Sequence, residues 1–153
     1  MSFTLPQYHA PDFREERFQK APDAALCPAP RDGVAPENYH ATSIYPEYFK
    51  VGGQWLLAEE SRMDCVAALR DGKIAVVEFR NLKAGEPVVV GRTEDASEGI
   101  YVYPDGFGEE KGEAETFAFR QGRSRETAYS MDYDSIYELL RYEKEHGRIL
   151  WVM

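Results

Sequence analysis

The sequence predicts a mainly β fold, a small barrel or sandwich of short antiparallel strands, with one C-terminal α-helix and a terminal strand (α+β overall). The first observation is a series of short apolar segments separated by turn signals about every eight to twelve residues, which is typical of barrels and sandwiches. The second is a single amphipathic stretch near the end of the chain, followed by an apolar run. The 153 residues, 43% of them hydrophobic, are enough for one domain with a hydrophobic core.

Residues 1–30 are predicted to be a proline-rich arm or linker. Proline interrupts regular structure because it lacks a backbone N–H and fixes φ. The prolines of this segment are Pro6, Pro11, Pro22, Pro28 and Pro30. Between them, residues 12–20 have the pattern of two helical turns, with Asp12 as the cap.

Residues 31–104 are predicted to form the β-barrel-like domain. Gly52-Gly53 and Asp71-Gly72 each separate two apolar segments, and such pairs supply the positive φ angles of a two-residue hairpin turn. The sequence therefore predicts two successive hairpins. The predicted strands are residues 39–45, 48–51, 54–58, 64–69, 73–79, 88–91 and 99–103.

Residues 105–130 are predicted to be an acidic, glycine-rich loop with a short strand at 116–120, and residues 131–153 a helix and a strand. In the helix, Ser135 and Glu138 fit a capping box, and Gly147 fits the position after the helix end. The apolar run 149–153 is typical of a buried strand of a parallel sheet. Either this strand completes a small sheet, or it leads toward a missing or following domain.

The composition excludes several classes of function. Asp and Glu outnumber Lys and Arg by 27 to 18, a formal charge of −9, and an acidic surface repels nucleic-acid phosphates. The chain has no apolar run of the about 18 residues that span a bilayer, and no secretory signal. We therefore expect a cytoplasmic protein without nucleic-acid or membrane partners. Cys27 and Cys65 are far apart and the histidines are scattered, so reduced thiols and no metal site are expected.

Two short segments carry residue types that can do chemistry. Residues 39–43 place His40, a candidate proton carrier near neutral pH, among hydroxyl-bearing side chains; the alternative is a half-exposed strand histidine. Asp64 and Cys65 open a predicted strand. Cys65 acts as a nucleophile only beside a base or a cation, and the alternative is a buried cysteine that packs as a small hydrophobe. A hydrolase built on Cys65 and His40 lacks an evident third orienting group.

The glycines of residues 106–112 resemble a dinucleotide-binding loop only superficially. The third glycine comes one residue too late, and the segment does not run from a strand into a helix. Nearby glutamates would also repel a pyrophosphate. No cofactor-binding residue is therefore predicted in this chain.

Several motifs in the middle of the chain occur together in a fixed order. They are Pro28–Pro36, Tyr39 with Thr42, Pro46, Gly53 with Trp55, Glu59, Met63–Cys65, Lys83–Gly85 and Val88–Gly91. In this order they resemble the conserved region of the bifunctional lysine-oxoglutarate reductase/saccharopine dehydrogenase (LOR/SDH), which is also found in archaeal-type ornithine cyclodeaminases. The resemblance covers residues 28–92 and returns at 132–153. The chain departs from the family at Ile44, where asparagine is usual, at His40, where an aromatic is commoner, and in residues 1–27.

The resemblance implies the N-terminal β-rich domain of an NAD-dependent amino-acid enzyme of ornithine cyclodeaminase or LOR/SDH type. Such a domain would shape the substrate pocket or a subunit interface and be inactive alone, with NAD bound by the parent enzyme. Its partner would be a C-terminal NAD-binding domain, or further copies of itself in a homo-oligomer. The resemblance assigns no catalytic residue, and the pocket candidates are Tyr39, His40, Thr42, Asp64 and Cys65. The alternative is a stand-alone small-ligand or protein-interaction β-module.

Overall fold

The computed structural model describes residues 7–107 and 130–152. Residues 8–107 form one compact unit, and the second described range belongs to another. In these two ranges, no helix combines the length and the apolar character needed to cross a membrane.

The larger unit contains two antiparallel sheets, which confirms the mainly β class. One sheet has four strands in the order β1-β6-β4-β5, and the other has three in the order β3-β2-β7. The strands are β1 (Ala25–Pro28), β2 (Glu47–Val51), β3 (Gln54–Leu57), β4 (Val66–Arg70), β5 (Lys73–Val77), β6 (Pro87–Val90) and β7 (Ile100–Val102). Within residues 7–107 the two sheets do not close into one barrel, so the sandwich alternative describes the fold and the barrel alternative is wrong.

The two predicted hairpins are confirmed. Gly52 and Gly53, with φ of 59° and 78°, join β2 to β3, while Asp71 and Gly72, with φ of 50° and 76°, join β4 to β5. Both pairs thus adopt the left-handed backbone that fits the twist of the flanking strands. The second turn fixes the register of β4 and β5, in which Val66 lies opposite Val77.

The core lies where apolar side chains of the two sheets meet. Phe49 of β2 and Ile100 of β7 pack in one cluster with Ile74 of β5 and Val89 of β6, and all four are fully buried. Apolar burial of this kind is the main force that holds the two sheets together. A second cluster includes Leu82, which follows a short 3-10 helix at Phe79–Asn81.

Part of the segment predicted as an arm belongs to the β unit, and for that part the prediction is wrong. β1 pairs with β6 along its whole length. Before it, helix α1 (Glu16–Lys20) buries Phe18 completely. The buried Lys50 of β2 donates hydrogen bonds from Nζ to the carbonyls of Phe18, Gln19 and Ala21, at 3.1, 3.1 and 2.7 Å. These bonds tie the C-terminal end of α1 to the sheet. Asp12 does not cap α1, whose N-cap residue is Glu15.

Residues 39–45, predicted to be a strand, make only single bridges to the four-stranded sheet. Tyr39 pairs with Val90, and Ala41 pairs with Val66. The segment therefore crosses two strands with one contact each, and the prediction of a continuous strand is wrong. This crossing path places the side chains of residues 40 and 42 in the interior, where both are buried.

The described part of the second unit contains helix α2 (Ser130–His146). Because α2 begins at Ser130, Ser135 lies inside the helix and the predicted capping box is wrong. Gly147 follows the helix end as predicted, and its N–H donates to the carbonyl of Glu143 at 3.0 Å. Residues 148–152 have no regular secondary structure, so the predicted terminal strand is not formed there. The predicted strand at 116–120 and most of the acidic loop lie outside the described residues.

Candidate functional site

A tight turn at residues 62–65 is held in place by a single threonine. The buried Thr42 hydroxyl donates to the carbonyl of Arg62 at 2.6 Å and accepts from the N–H of Cys65 at 3.2 Å. Two backbone bonds, each 3.0 Å long, join Thr42 to the same turn through the N–H of Asp64 and the carbonyl of Cys65. We refer to residues 62–65 as the Thr42-held turn. Its conformation is fixed by four hydrogen bonds from one residue.

Asp64 occupies a backbone conformation that few residues adopt. Its φ is 60°, in the left-handed region, where aspartate is tolerated better than most side chains. A residue of this kind persists only when the surrounding structure fixes it, and such residues concentrate at functional sites. Asp64 lies at the surface, while the next residue, Cys65, is buried.

The Thr42-held turn forms one wall of an open groove of about 410 Å³, a volume within the range of small-ligand sites. The opposite wall is the chain that follows β5. The groove is lined by Arg62, Met63, Asp64, Cys65, Glu78, Phe79 and Arg80.

Charges of both signs line this groove. Glu78 forms ion pairs with two guanidinium groups, those of Arg62 and Arg80. Arg62 also contacts Glu60 at 3.4 Å, outside the groove lining. Asp64 contributes a second carboxylate, so the lining carries two positive and two negative formal charges. Such a surface suits a ligand that itself carries charges of both signs.

His40 is committed to a buried partner away from the groove lining. Its Nε2 lies 3.2 Å from Oε2 of Glu47, and the two side chains are only 3% and 2% exposed. The other oxygen of Glu47 accepts from the N–H of Ser43 at 2.6 Å. The imidazole ring packs edge-on against Phe49, with 5.4 Å between ring centroids. His40 thus joins residues 40–43 to the start of β2.

The structure brings three of the five predicted pocket residues together. Thr42, Asp64 and Cys65 form the turn and its support. Tyr39 does not line the groove, but its ring packs edge-on against the lining residue Phe79, with 5.3 Å between ring centroids. His40 lies with Tyr39 along a separate small hollow of about 280 Å³.

The sequence prediction missed Glu78, Phe79 and Arg80, the other wall of the groove. A signal for them was present in the hairpin turn at residues 71–72. A two-residue turn fixes the register of both strands, and Val66 opposite Val77 continues to Cys65 opposite Glu78. The register of the hairpin therefore places the Thr42-held turn next to the chain that follows β5. Among the described residues, no group of three or more His, Cys, Asp or Glu side chains is arranged to hold a metal.

Comparison with protein families gives one match that spans residues 46–128, just over half of the chain. The matching family is described as "Arginine dihydrolase ArgZ-like, C-terminal, first region". The match includes β2 to β7 and both walls of the groove. The family resemblance seen in the motifs of the sequence is confirmed.

Individual relatives agree with this match. The bifunctional arginine dihydrolase/ornithine cyclodeaminase AgrE of Nostoc sp. is 42% identical over 72 residues, 44% of this chain and 10% of AgrE. The ornithine cyclodeaminase of Archaeoglobus fulgidus is 31% identical over 107 residues, 70% of this chain and 24% of that enzyme. This chain thus spans about a quarter or less of these relatives.

Two solved structures are similar. A LOR/SDH protein from Methanococcus maripaludis superimposes with a TM-score of 0.58 at 22% identity, over 82% of this chain and 37% of that one; it supports the fold. AgrE has been solved as a ternary complex with ornithine and NAD+ and is 36% identical over 56% of this chain and 12% of its own, with a TM-score of 0.48.

Proposed function

This chain belongs to the family described as the first region of the C-terminal part of ArgZ-like arginine dihydrolases, and on that basis we propose that it is the β-rich domain of an NAD-dependent amino-acid enzyme of the ornithine cyclodeaminase kind. In this proposal the groove beside the Thr42-held turn shapes the substrate pocket. NAD is bound by another part of the parent enzyme, and this domain alone is inactive. The proposal places the parent enzyme in the cytoplasm.

One observation carries the proposal for the groove. A backbone conformation that is unfavourable for most residues is fixed by four hydrogen bonds from Thr42, and it keeps Asp64 beside a groove with two guanidinium groups. The family match covers the turn and the opposite wall. The positive φ alone does not require a ligand, since Asp71 has φ of 50° in a hairpin turn. The four hydrogen bonds of Thr42 and the mixed charges of the groove together support a ligand-binding role.

Residues 130–152 provide a surface for a partner domain. Leu150, Trp151 and Val152 are 86%, 75% and 89% exposed, although large apolar side chains are normally buried. We assign this segment to the contact with the NAD-binding part of the parent enzyme or with another copy of the chain. The resemblance to the family, in which this segment leads toward the cofactor domain, supports the first of these two partners.

The proposal is tested by titrating the 15N-labelled chain with L-ornithine and, separately, with NAD+, and following the amide signals by NMR. We expect ornithine at tens of millimolar to shift amides at residues 62–65 and 78–80, and to leave those of the Gly52-Gly53 turn unchanged. NAD+ should shift none of them, and ornithine with NAD+ should release no ammonia in the presence of this chain. Ornithine that leaves the groove amides unmoved, or turnover by the chain alone, would contradict the proposal.

A further inference from the structure

We propose that the groove binds the head group of a zwitterionic amino acid in one orientation, with Arg80 receiving the carboxylate and Asp64 receiving the ammonium group. This inference rests on the proposed function and deepens it. It names two residues that determine which end of the ligand lies against which wall.

The two arginines of the groove differ in how many carboxylates they contact. Arg62 contacts both Glu60 and Glu78. Arg80 contacts Glu78 through one terminal nitrogen, and its side chain is 78% exposed. A guanidinium group has five N–H donors in a planar fork that matches a carboxylate. Arg80 therefore retains donors for a carboxylate ligand, and Glu78 restricts where its guanidinium lies.

The negative side is provided by Asp64. Within residues 7–107 and 130–152, its carboxylate has no hydrogen-bond or ion-pair partner. The backbone that carries this carboxylate is fixed, because the N–H of Asp64 donates to the carbonyl of Thr42 and the next N–H donates to the Thr42 hydroxyl. A carboxylate held by its backbone and left without a partner is suited to receive an ammonium group.

The charge pattern argues against other ligand classes. A phosphate or nucleotide would approach the two carboxylates of Asp64 and Glu78, and a polyamine would approach the two guanidinium groups, in each case with like-charge repulsion. A zwitterion pairs with both walls at once. A groove of about 410 Å³ also suits a ligand of amino-acid size better than a dinucleotide.

The test compares three ligands by NMR titration of the full chain: L-ornithine; 1,4-diaminobutane, which lacks the carboxylate; and 5-aminopentanoate, which lacks the α-ammonium group. In the unsubstituted chain we expect ornithine to bind about tenfold or more tightly than either analogue, because each analogue loses a charge-assisted contact. A groove that takes diaminobutane as well as ornithine would overturn the inference.

Two substitutions assign the contacts. Arg80→Gln should weaken ornithine about tenfold and erase its advantage over diaminobutane. Asp64→Asn, in which asparagine also tolerates positive φ, should erase its advantage over 5-aminopentanoate. The control is Lys73→Gln, since Lys73 is 72% exposed and lies outside the groove; it should bind like the unsubstituted chain.

The outcomes separate the inference from the proposed function. If ornithine shifts the groove amides equally in the unsubstituted chain, Arg80→Gln and Asp64→Asn, the orientation is wrong and the proposed function stands. If ornithine shifts no groove amide even in the unsubstituted chain, both fail. Circular dichroism confirms that the variants are folded, as expected for two exposed side chains.

Discussion

Replacing Thr42 by valine removes the hydroxyl that holds the turn and keeps the size of the side chain. The change deletes the 2.6 Å bond to the carbonyl of Arg62 and the 3.2 Å bond from the N–H of Cys65. Thr42 and Cys65 are 4% and 2% exposed, so water does not readily replace the lost partner. The N–H of Cys65 is left buried and unsatisfied, at a cost of about 1–3 kcal/mol, and the carbonyl of the exposed Arg62 loses a hydrogen bond worth about 1 kcal/mol. We therefore expect a loss of about 2–4 kcal/mol. For a unit of the size of residues 8–107, in which each kcal/mol lowers the melting temperature by roughly 4–8 °C, the melting temperature should fall by roughly 8–32 °C.

Urea denaturation and hydrogen exchange together check this prediction. We expect Thr42→Val to lower the free energy of unfolding, and the amides of Asp64 and Cys65 to exchange faster than the rest of the β unit. Thr42→Ser is the matched control, since it keeps the hydroxyl and loses one methyl group, at a cost of about 1 kcal/mol. If Thr42→Val unfolds within about 0.5 kcal/mol of the unsubstituted chain, with unchanged exchange at residues 64 and 65, the hydroxyl does not hold the turn.

Two further predictions concern charged groups outside the groove. Lys50→Met should lower the free energy of unfolding by about 2–4 kcal/mol, because three backbone carbonyls lose a charged donor. The control Lys73→Met, at an exposed site, should change the free energy of unfolding by less than about 0.5 kcal/mol. Equal losses in the two variants would contradict this prediction. The hydrogen-bonded Arg70 guanidinium lowers the pKa of Glu86 below its ordinary 4.5, so its contribution is complete above about pH 4.5 and is lost as the pH falls through the lowered pKa. In urea unfolding, Glu86→Gln should have a lower free energy of unfolding than the unsubstituted chain at pH 7. Between pH 5 and pH 3, its free energy of unfolding should depend less on pH than that of the unsubstituted chain. Equal dependence on pH in the two chains would refute the assignment.

The sequence predicted those parts of the fold whose cause is local. The Gly52-Gly53 and Asp71-Gly72 pairs specify hairpins through backbone conformation alone, and both formed. β1 was not predicted because the prolines of its segment indicated an arm. It is an edge strand that ends at Pro28, and proline is tolerated in edge strands. Its pairing depends on β6, far along the chain. The same holds for the docking of α1, which depends on Lys50.

The candidate site was predictable in part for the same reason. Asp64 and Cys65 are adjacent in the chain, so their shared location follows from sequence. The partner of His40 was not predictable, because Glu47 meets it only through the packing of residues 40–43 against the start of β2. Arg80 was within reach of prediction, because the register of the second hairpin carries residues 78–80 past the Thr42-held turn.

The position of Asp64 combines a positive φ angle with a carboxylate that has no partner among the described residues. A left-handed residue other than glycine costs on the order of 1 kcal/mol or more, and glycine would adopt φ of 60° at this position without that strain. The carboxylate does not compensate for this conformational cost through a contact with the described residues, since it bonds to none of them. The side chain of Asp64 therefore adds strain to the turn and gives no compensating contact inside the unit. The ligand that we propose would account for this arrangement, because its ammonium group would pair with a carboxylate whose backbone is already held by the hydrogen bonds of Thr42, and preorganisation lowers the cost of binding.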